Sequence, residues 1–323
     1  MYYYQDVIRT AAVTIEKVEF KNQGITLAGL IFKPSDKKLQ QSGYPAIIVG
    51  HPAGGVKEQT ASVYAVKLAE RGFLTLAFDA AYQGESGGEP RYLEDSGMRV
   101  EDFRCAVDYL STRADVEADA IGILGMCAAG GYVIKAAGTD TRMKAIATVS
   151  MADLGDMFRN GLGRTMKPEE LQGFLAQIAA QRTREAAQGA PVAYMGYVAD
   201  SEAELAGKAR DWWEGYEYYR TSPARHPRSV NKMILSHVDR LIAFTALEHV
   251  ELLGQRPLLA VAGTEAGTKY FAEEAVAQAI GPKELFWVKG STHIELYYKE
   301  PYVDQAIERL DAFFKKYLKE SKK

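Results

Sequence analysis

The sequence predicts an α/β fold with a mostly parallel, twisted sheet, an antiparallel hairpin at its N-terminal edge, and helices on both faces. Three observations support this. Short continuous apolar runs recur along the chain, helical patterns lie between most of them, and the first part of the chain alternates apolar and polar residues instead. Continuous apolar runs are typical of parallel strands buried on both faces, and a strand–helix–strand rhythm indicates a parallel sheet.

The antiparallel hairpin is predicted over residues 14–34. Residues 14–20 and 25–34 alternate in polarity, and Asn22-Gln23-Gly24 lies between them. A glycine in a short loop between two alternating segments is typical of a hairpin. Such a hairpin suits the antiparallel edge of a mixed sheet.

The remaining core elements follow in regular order. Buried strands are predicted at residues 46–49, 73–78, 121–124, 145–149, 258–261 and 285–288. Helical patterns cover residues 61–70, 99–111, 128–137, 268–279 and 302–316. Because these helices alternate with the strands, we expect them to pack on both faces of the sheet.

The stretch 152–250 interrupts this rhythm, because it contains no run that predicts a strand. It includes a long helical pattern at 169–187 and a cluster of aromatic residues further on. No linker rich in proline and serine flanks it, which favours a helical lid inserted after the strand at 145–149 over a separate domain. The predicted organisation is a core of residues 1–151 and 251–323, with 152–250 as the lid and the return to the core.

Composition and charge are those of an ordinary globular protein. Of 323 residues, 47% are hydrophobic, the net charge is −3, and no basic stripe suggests a nucleic acid partner. Residues 1–10 lack the apolar run of a signal peptide, and no apolar stretch approaches the roughly 18 residues that span a membrane. Two cysteines rather than a dense even set favour a cytoplasmic location. The oligomeric state stays open, and a homo-oligomer is compatible with the sequence.

The motif that indicates chemistry follows the predicted strand at 121–124. It reads Gly122-Ile123-Leu124-Gly125-Met126-Cys127-Ala128-Ala129-Gly130-Gly131. A nucleophile at a strand-to-helix turn, with small residues two positions before and after it, is the pattern of a nucleophile elbow, and here the nucleophile is Cys127. The helix N-terminus that follows would favour a thiolate. The alternative is that Cys127 is merely a small buried residue at a crowded turn.

Cys105, the other cysteine, lies in an amphipathic helical pattern and is expected in the core.

A base for Cys127 has to come from one of five histidines. His293 is the candidate, because it lies in the loop between the last predicted strand and the last predicted helix, where this type of site takes its histidine. Glu265 is the candidate acid that would orient it, as the nearby carboxylate in the loop after the strand at 258–261. Asp153, just past another predicted strand, is the alternative acid.

Two backbone N–H groups are expected to form an oxyanion hole. One belongs to Ala128, directly after the nucleophile, and the other to Ala53, since the neighbouring Pro52 has no N–H to donate. His51 lies in the same loop as Ala53. It would either support the site from behind or pack beneath it.

Five aromatic residues are candidates for the pocket wall. Tyr82 lies in a glycine-rich loop after a predicted strand, and Trp212, Trp213, Tyr216 and Tyr219 belong to the aromatic cluster of the lid. An exposed loop tyrosine, and tryptophans that pack a helix onto the core, are the alternatives. The scattered histidines and the spacing of the cysteines indicate no metal, and no Gly-x-Gly-x-x-Gly motif indicates a nucleotide, so we expect no cofactor.

In these motifs the chain resembles the α/β-hydrolase superfamily over nearly its whole length outside the predicted lid. The cysteine elbow is shared with dienelactone hydrolases, which use cysteine, histidine and aspartate, but those proteins are shorter and lack such a lid. The chain is more similar to lidded bacterial hydrolases and to fungal polyketide transferases and thiohydrolases. That resemblance lies in residues 50–59, the Cys127 elbow, residues 226–229 and residues 263–266.

The motifs and the resemblance together predict a hydrolase of an activated ester, lactone or thioester, with a small acyl compound as its partner. The mechanism would use a Cys127–His293–acid triad and a covalent acyl-enzyme. Two alternatives stay open. An acyltransferase would use the same triad with an alcohol or amine, and a dry aromatic lid would favour it. A catalytically inactive binding protein would explain why Ala266 stands where an aspartate is common.

Overall fold

The structure, a computed structural model, describes residues 1–35, 43–187 and 190–319. These residues form ten strands, β1 (Val13–Asn22), β2 (Ile25–Pro34), β3 (Tyr44–Gly50), β4 (Leu74–Phe78), β5 (Val116–Met126), β6 (Met143–Val149), β7 (Tyr194–Met195), β8 (Met233–Ile234), β9 (Leu258–Gly263) and β10 (Lys283–Val288). The α-helices are α1 (Tyr4–Thr10), α2 (Thr60–Glu70), α3 (Ser96–Ser111), α4 (Ala128–Thr139), α5 (Leu154–Asn160), α6 (Pro168–Ala186), α7 (Arg210–Tyr216), α8 (Val238–Ala243), α9 (Lys269–Gln278), α10 (Glu295–Tyr298) and α11 (Glu300–Leu318). Short 3₁₀ helices lie at Leu162–Arg164, Glu202–Leu205, Leu235–His237 and Val250–Leu253, and a π-helical turn lies at Glu217–Thr221.

Eight strands form one sheet in the order β1-β2-β4-β3-β5-β6-β9-β10. β2 pairs antiparallel with both β1 and β4, and the other neighbours, from β4 to β10, pair in parallel. The predicted hairpin, the six predicted core strands and the α/β fold class are therefore confirmed, but β10 is half exposed and not buried, because it lies at the edge of the sheet. Parallel pairing brings the carboxyl ends of β3, β5, β6, β9 and β10 to one edge of the sheet, where ligand sites of such folds form.

Helices cover both faces of this sheet, which explains the continuous apolar runs. Ile48 of β3 belongs to a core layer with Phe103 of α3, whereas its neighbour Ile47 belongs to the opposite layer with Tyr64 of α2 and Phe314 of α11. Successive side chains of a strand point to opposite faces, so a strand covered on both faces must be apolar at every position.

The segment between β6 and β9 stays outside the main sheet. It contains α5 to α8, of which α6 matches the predicted helical pattern at 169–187, and also β7 and β8, which pair antiparallel and which the sequence does not predict. Two-residue strands are too short to show the alternation by which strands are recognised. The domain boundary and the role of this segment as a lid remain predictions. Among the described residues, every helix is too short or too polar to cross a membrane.

A strained turn joins β5 to α4. Cys127 stands between them with φ 52° and ψ −120°, a backbone conformation that is costly for any residue with a side chain. Its N–H donates to the carbonyl oxygen of Val149 at 3.1 Å, and its carbonyl oxygen accepts from the N–H groups of Gly130 at 2.8 Å and Ala152 at 2.9 Å. The turn is tightly packed, because a Cβ atom on Gly125 would lie 2.3 Å from the carbonyl oxygen of Ala129.

We expect Gly125→Ala to lower the free energy of unfolding by about 1–3 kcal/mol, because the added methyl group meets backbone atoms that cannot move away. Gly138→Ala in α4 is the matched control. Its added Cβ would make an ordinary 3.5 Å contact with Leu252, and alanine favours a helix over glycine by up to about 1 kcal/mol. Urea unfolding measures both variants, and an unchanged midpoint for Gly125→Ala would contradict the crowding described for this turn.

Candidate active site

Side chains from three loops and one short helix meet at the carboxyl edge of the sheet. Cys127 follows β5, Ala53 follows β3, His293 follows β10, and Tyr297 lies in α10. Together they line a cavity of about 140 Å³. The cavity is completed by Thr268, from the loop after β9, and by residues of the segment between β6 and β9.

The sulfur of Cys127 is surrounded by hydrogen-bond donors. The N–H groups of Ala53 and Ala128 both point at it, and the hydroxyl of Tyr297 lies within hydrogen-bonding reach. Burial nevertheless raises the pKa of the Cys127 thiol above its ordinary value, against these hydrogen bonds and the positive charge of Arg99. Desolvation of the thiolate therefore outweighs the helix N-terminus, and the resting side chain is a neutral thiol near pH 7, not the thiolate that the helix N-terminus alone favours.

The imidazole of His293 is buried between two hydroxyl groups. Its Nδ1 atom lies 2.5 Å from Oγ1 of Thr268, and its Nε2 atom lies 2.8 Å from the hydroxyl of Tyr297. Burial lowers the pKa of His293 to about 4, and the negative charge of Asp211 acts in the opposite direction. The ring is therefore neutral near pH 7. The four side chains form a polar chain in the order Cys127, Tyr297, His293 and Thr268.

Glu265 does not reach the imidazole. Its side chain is exposed and lies 3.2 Å from Oγ1 of Thr264, and its N–H donates to the carbonyl oxygen of Ser291 at 3.0 Å. This backbone bond holds the loop with the carboxylate toward solvent, and Thr268 takes the place beside Nδ1 of His293. The geometry thus contradicts the choice of Glu265 as the orienting acid. Within residues 1–35, 43–187 and 190–319, no carboxylate is hydrogen-bonded to the ring.

The alternative acid, Asp153, caps a helix instead. Its carboxylate accepts from the N–H of Asp156 at 3.1 Å, at the start of α5, and from the N–H of Ala246 at 2.8 Å. Burial raises its pKa, which these two hydrogen bonds oppose. Both oxygens are therefore used within the segment between β6 and β9, where they cap α5 and tie its start to the chain at Ala246.

His51 lies beneath the cavity and not in its wall. Its Nδ1 atom is 2.7 Å from the carbonyl oxygen of Pro52, and its Nε2 atom accepts from the N–H of Ala80 at 3.1 Å. Arg99 contacts the same nitrogen at 3.1 Å and donates to the carbonyl oxygen of His51 at 2.9 Å. Burial and the charge of Arg99 keep the pKa of His51 well below its ordinary value. His51 thus packs below the site and fixes the loop that carries Ala53.

Arg99 is itself neutralised by a buried carboxylate. Its Nε atom lies 3.3 Å from Glu94, and both side chains are almost fully buried. Glu94 also accepts from the hydroxyl groups of Tyr132 at 3.0 Å and Tyr197 at 3.1 Å. Because Tyr197 lines the cavity, this network supports its floor.

Only some of the candidate wall residues line the cavity. Trp212 and Tyr219 do so, whereas Trp213, Tyr216 and Tyr82 stand outside its lining. Thr268, Tyr297 and Asp211 also line the cavity and were not predicted from the sequence. For Tyr297 a signal existed, because a residue four positions after His293 lies on the same face of a helical turn.

Comparison with known proteins identifies the family of the chain and agrees with its fold. Residues 23–244 match the family model described as X-Pro dipeptidyl-peptidase (S15 family). The chain is 38% identical over 306 residues to the uncharacterized protein YcjY of Escherichia coli K12, which covers 94% of this chain and 99% of YcjY. The crystal structure of hypothetical protein PA2218 from Pseudomonas aeruginosa superimposes with a TM-score of 0.88 at 34% identity, over 96% of this chain and 95% of that one. Acyltransferase drtE of Aspergillus calidoustus is 25% identical, over 94% of this chain and 96% of drtE.

We expect alkylation of Cys127 by iodoacetamide to be slow at pH 7 and to keep accelerating to pH 10, because a raised pKa moves the thiolate to higher pH. The Cys105→Ser protein, followed by mass spectrometry, reports on this thiol alone. Tyr297→Phe removes a hydrogen bond to the thiolate and should slow alkylation about fivefold at each pH. A wild-type rate that levels off below pH 8 would contradict the dominance of burial.

Proposed function

The chain belongs to the X-Pro dipeptidyl-peptidase (S15) family of α/β hydrolases, and from this premise we propose that it cleaves an activated ester, lactone or thioester of a small acyl compound through Cys127. One observation carries the proposal. The sulfur of Cys127, the N–H groups of Ala53 and Ala128, and a hydroxyl linked to His293 meet in one cavity. Nucleophile, oxyanion donors and base are the parts that acyl transfer requires.

The first step attacks the carbonyl carbon with sulfur. When Nδ1–H of His293 donates to Thr268, Nε2 carries no proton and can accept one. The hydroxyl of Tyr297 lies 2.8 Å from Nε2. As the C–S bond forms, the thiol proton passes to the oxygen of Tyr297 and the hydroxyl proton of Tyr297 passes to Nε2. The developing oxyanion is held by the N–H groups of Ala53 and Ala128.

The second half of the reaction reverses the proton path. The imidazolium of His293 returns its proton through Tyr297 to the leaving group, which departs as an alcohol or thiol and leaves an acyl-enzyme on Cys127. Water then attacks the acyl-enzyme with His293 as the base, and the thiol is regenerated. The negative charge of Asp211 stabilises the imidazolium of His293 in both half-reactions. The sequence had predicted this role for Glu265.

Acyl transfer to an alcohol or amine is the second candidate, and the cavity wall favours it. Trp212, Tyr197 and Tyr219 surround the cavity, and aromatic walls exclude water from an acyl-enzyme. The relative drtE carries the name acyltransferase. Product analysis with a competing alcohol or amine separates the candidates, since a transferase yields the new ester or amide in preference to the free acid. Family membership favours either enzyme over the inactive binding protein.

We expect Cys127→Ala and His293→Ala each to lower kcat/KM by about 10³-fold or more, because nucleophile and base act as one unit. Tyr297→Phe should lower it by about 10- to 100-fold, since the proton then has no hydroxyl path between sulfur and ring. Glu265→Gln is the matched control and should stay near wild type. The measurement is the hydrolysis of a hexanoyl thioester, and wild-type turnover by Cys127→Ala would rule out the proposed nucleophile.

We also expect a thioester to be cleaved with a kcat/KM at least about tenfold higher than the ethyl ester of the same acid. Sulfur leaves a tetrahedral intermediate more readily than an alkoxide does, so an intermediate with a poor leaving group returns to substrate. Steady-state rates on matched hexanoyl compounds measure this ratio. Rapid hydrolysis of unactivated long-chain alkyl esters would contradict the argument.

A further inference from the structure

The wall of the cavity above Cys127 is apolar and aromatic. Apart from the reacting groups, its surface comes chiefly from Leu154, Met157, Leu162, Tyr197, Trp212 and Tyr219. The cavity measures about 140 Å³. An apolar cavity of roughly 150 Å³ accepts a benzene molecule, so the acyl part of a substrate would have about six carbons.

One charged side chain, Asp211, stands in this lining as far as the structure describes the chain. It belongs to the first turn of α7, and its Oδ1 atom accepts from the N–H of Gly267 at 3.2 Å. A Cβ atom on Gly267 would lie 2.6 Å from Oδ2, so the absence of a side chain there lets the carboxylate approach the loop. The carboxylate is thus held against the loop that carries Thr268, the partner of His293.

Two arginines near this cavity are already paired with carboxylates. Arg99 lies below the floor and contacts Glu94 at 3.3 Å. Arg210, at the rim, contacts Glu214 at 2.6 Å and Glu295 at 3.3 Å. The ring of His293 is neutral near pH 7 because burial lowers its pKa to about 4. Because no lysine or arginine among the described residues lines the cavity, a second negative charge inside it would meet Asp211 without a compensating cation beside it.

We propose that the site, given the acyl chemistry inferred above, accepts neutral apolar acyl groups and rejects acyl groups that carry a carboxylate, and that Asp211 sets this selectivity. The apolar wall supplies affinity for the hydrocarbon part of the substrate. The Asp211 carboxylate supplies the discrimination, since repulsion between like charges acts only on the anionic substrate.

The test compares two thioesters of equal chain length, hexanoyl and adipoyl, of which the second ends in a carboxylate. The readout is the ratio of their kcat/KM values at pH 7.5. We expect wild type to prefer hexanoyl by about tenfold or more, and Asp211→Asn to reduce this preference by about tenfold. Asp211→Asn also removes the charge that stabilises the His293 imidazolium. This loss lowers kcat/KM for the hexanoyl and the adipoyl thioester by the same factor, so it does not change their ratio. Glu265→Gln removes an exposed carboxylate outside the cavity and should leave the ratio unchanged.

Equal use of both thioesters by wild type, or an unchanged ratio in Asp211→Asn, would overturn the inference while hexanoyl hydrolysis still supported the proposed function. Turnover of hexanoyl thioester by Cys127→Ala would overturn the proposed function whatever the ratio. Binding gives a second readout that needs no turnover. Calorimetry on Cys127→Ala should show the adipoyl thioester binding at least about tenfold more weakly than the hexanoyl thioester, and equal affinities would again overturn the inference.

Discussion

The left-handed backbone of Cys127 is the constraint from which the rest of the site follows. A side chain in this conformation costs about 1–3 kcal/mol. Three backbone hydrogen bonds, to Val149, Gly130 and Ala152, contribute about 1 kcal/mol each and hold it there. Because the turn is held so tightly, Cys127 presents its sulfur beside the N–H groups of Ala53 and Ala128. The loop with Ala53 is fixed in turn from below, by His51 and Arg99.

Burial decides the ionisation of the reacting groups. A helix N-terminus stabilises a nearby anion by up to about 2 kcal/mol, whereas full burial can move a pKa by several units. The raised pKa of Cys127 and the lowered pKa of His293 both favour the neutral form of each group. The pair therefore rests as thiol and imidazole, bridged by the hydroxyl of Tyr297. In the proposed mechanism the oxyanion and the imidazolium form only when a carbonyl group is attacked. The N–H groups of Ala53 and Ala128 and the carboxylate of Asp211 are then already in place to stabilise them.

The elements that could be predicted from the sequence are those whose residues share one environment, such as burial on both faces of a strand. Strands such as β4 and β9 are covered by helices on both faces and are buried at every position. The elbow at Cys127 has a local pattern of small residues. The position of His293 followed from chain order. In contrast, Glu265 was chosen because it is close in sequence, and closeness in sequence does not decide which way a side chain points. Asp211 lies 56 residues before Gly267, its contact in the loop, and only the folded chain brings the two together.

Two parts of the chain build the cavity, and they contribute different things. The nucleophile, the oxyanion donors and the imidazole come from loops of the main sheet, whereas Asp211, Trp212 and Leu154 come from the segment between β6 and β9. Tyr219 is where the two meet, since its hydroxyl is hydrogen-bonded to Tyr297. Exchange of this segment between homologues would therefore change which compounds fit while the bond-making atoms keep their places. Substitutions in this segment could therefore alter selectivity while the nucleophile, the oxyanion donors and the imidazole stay unchanged.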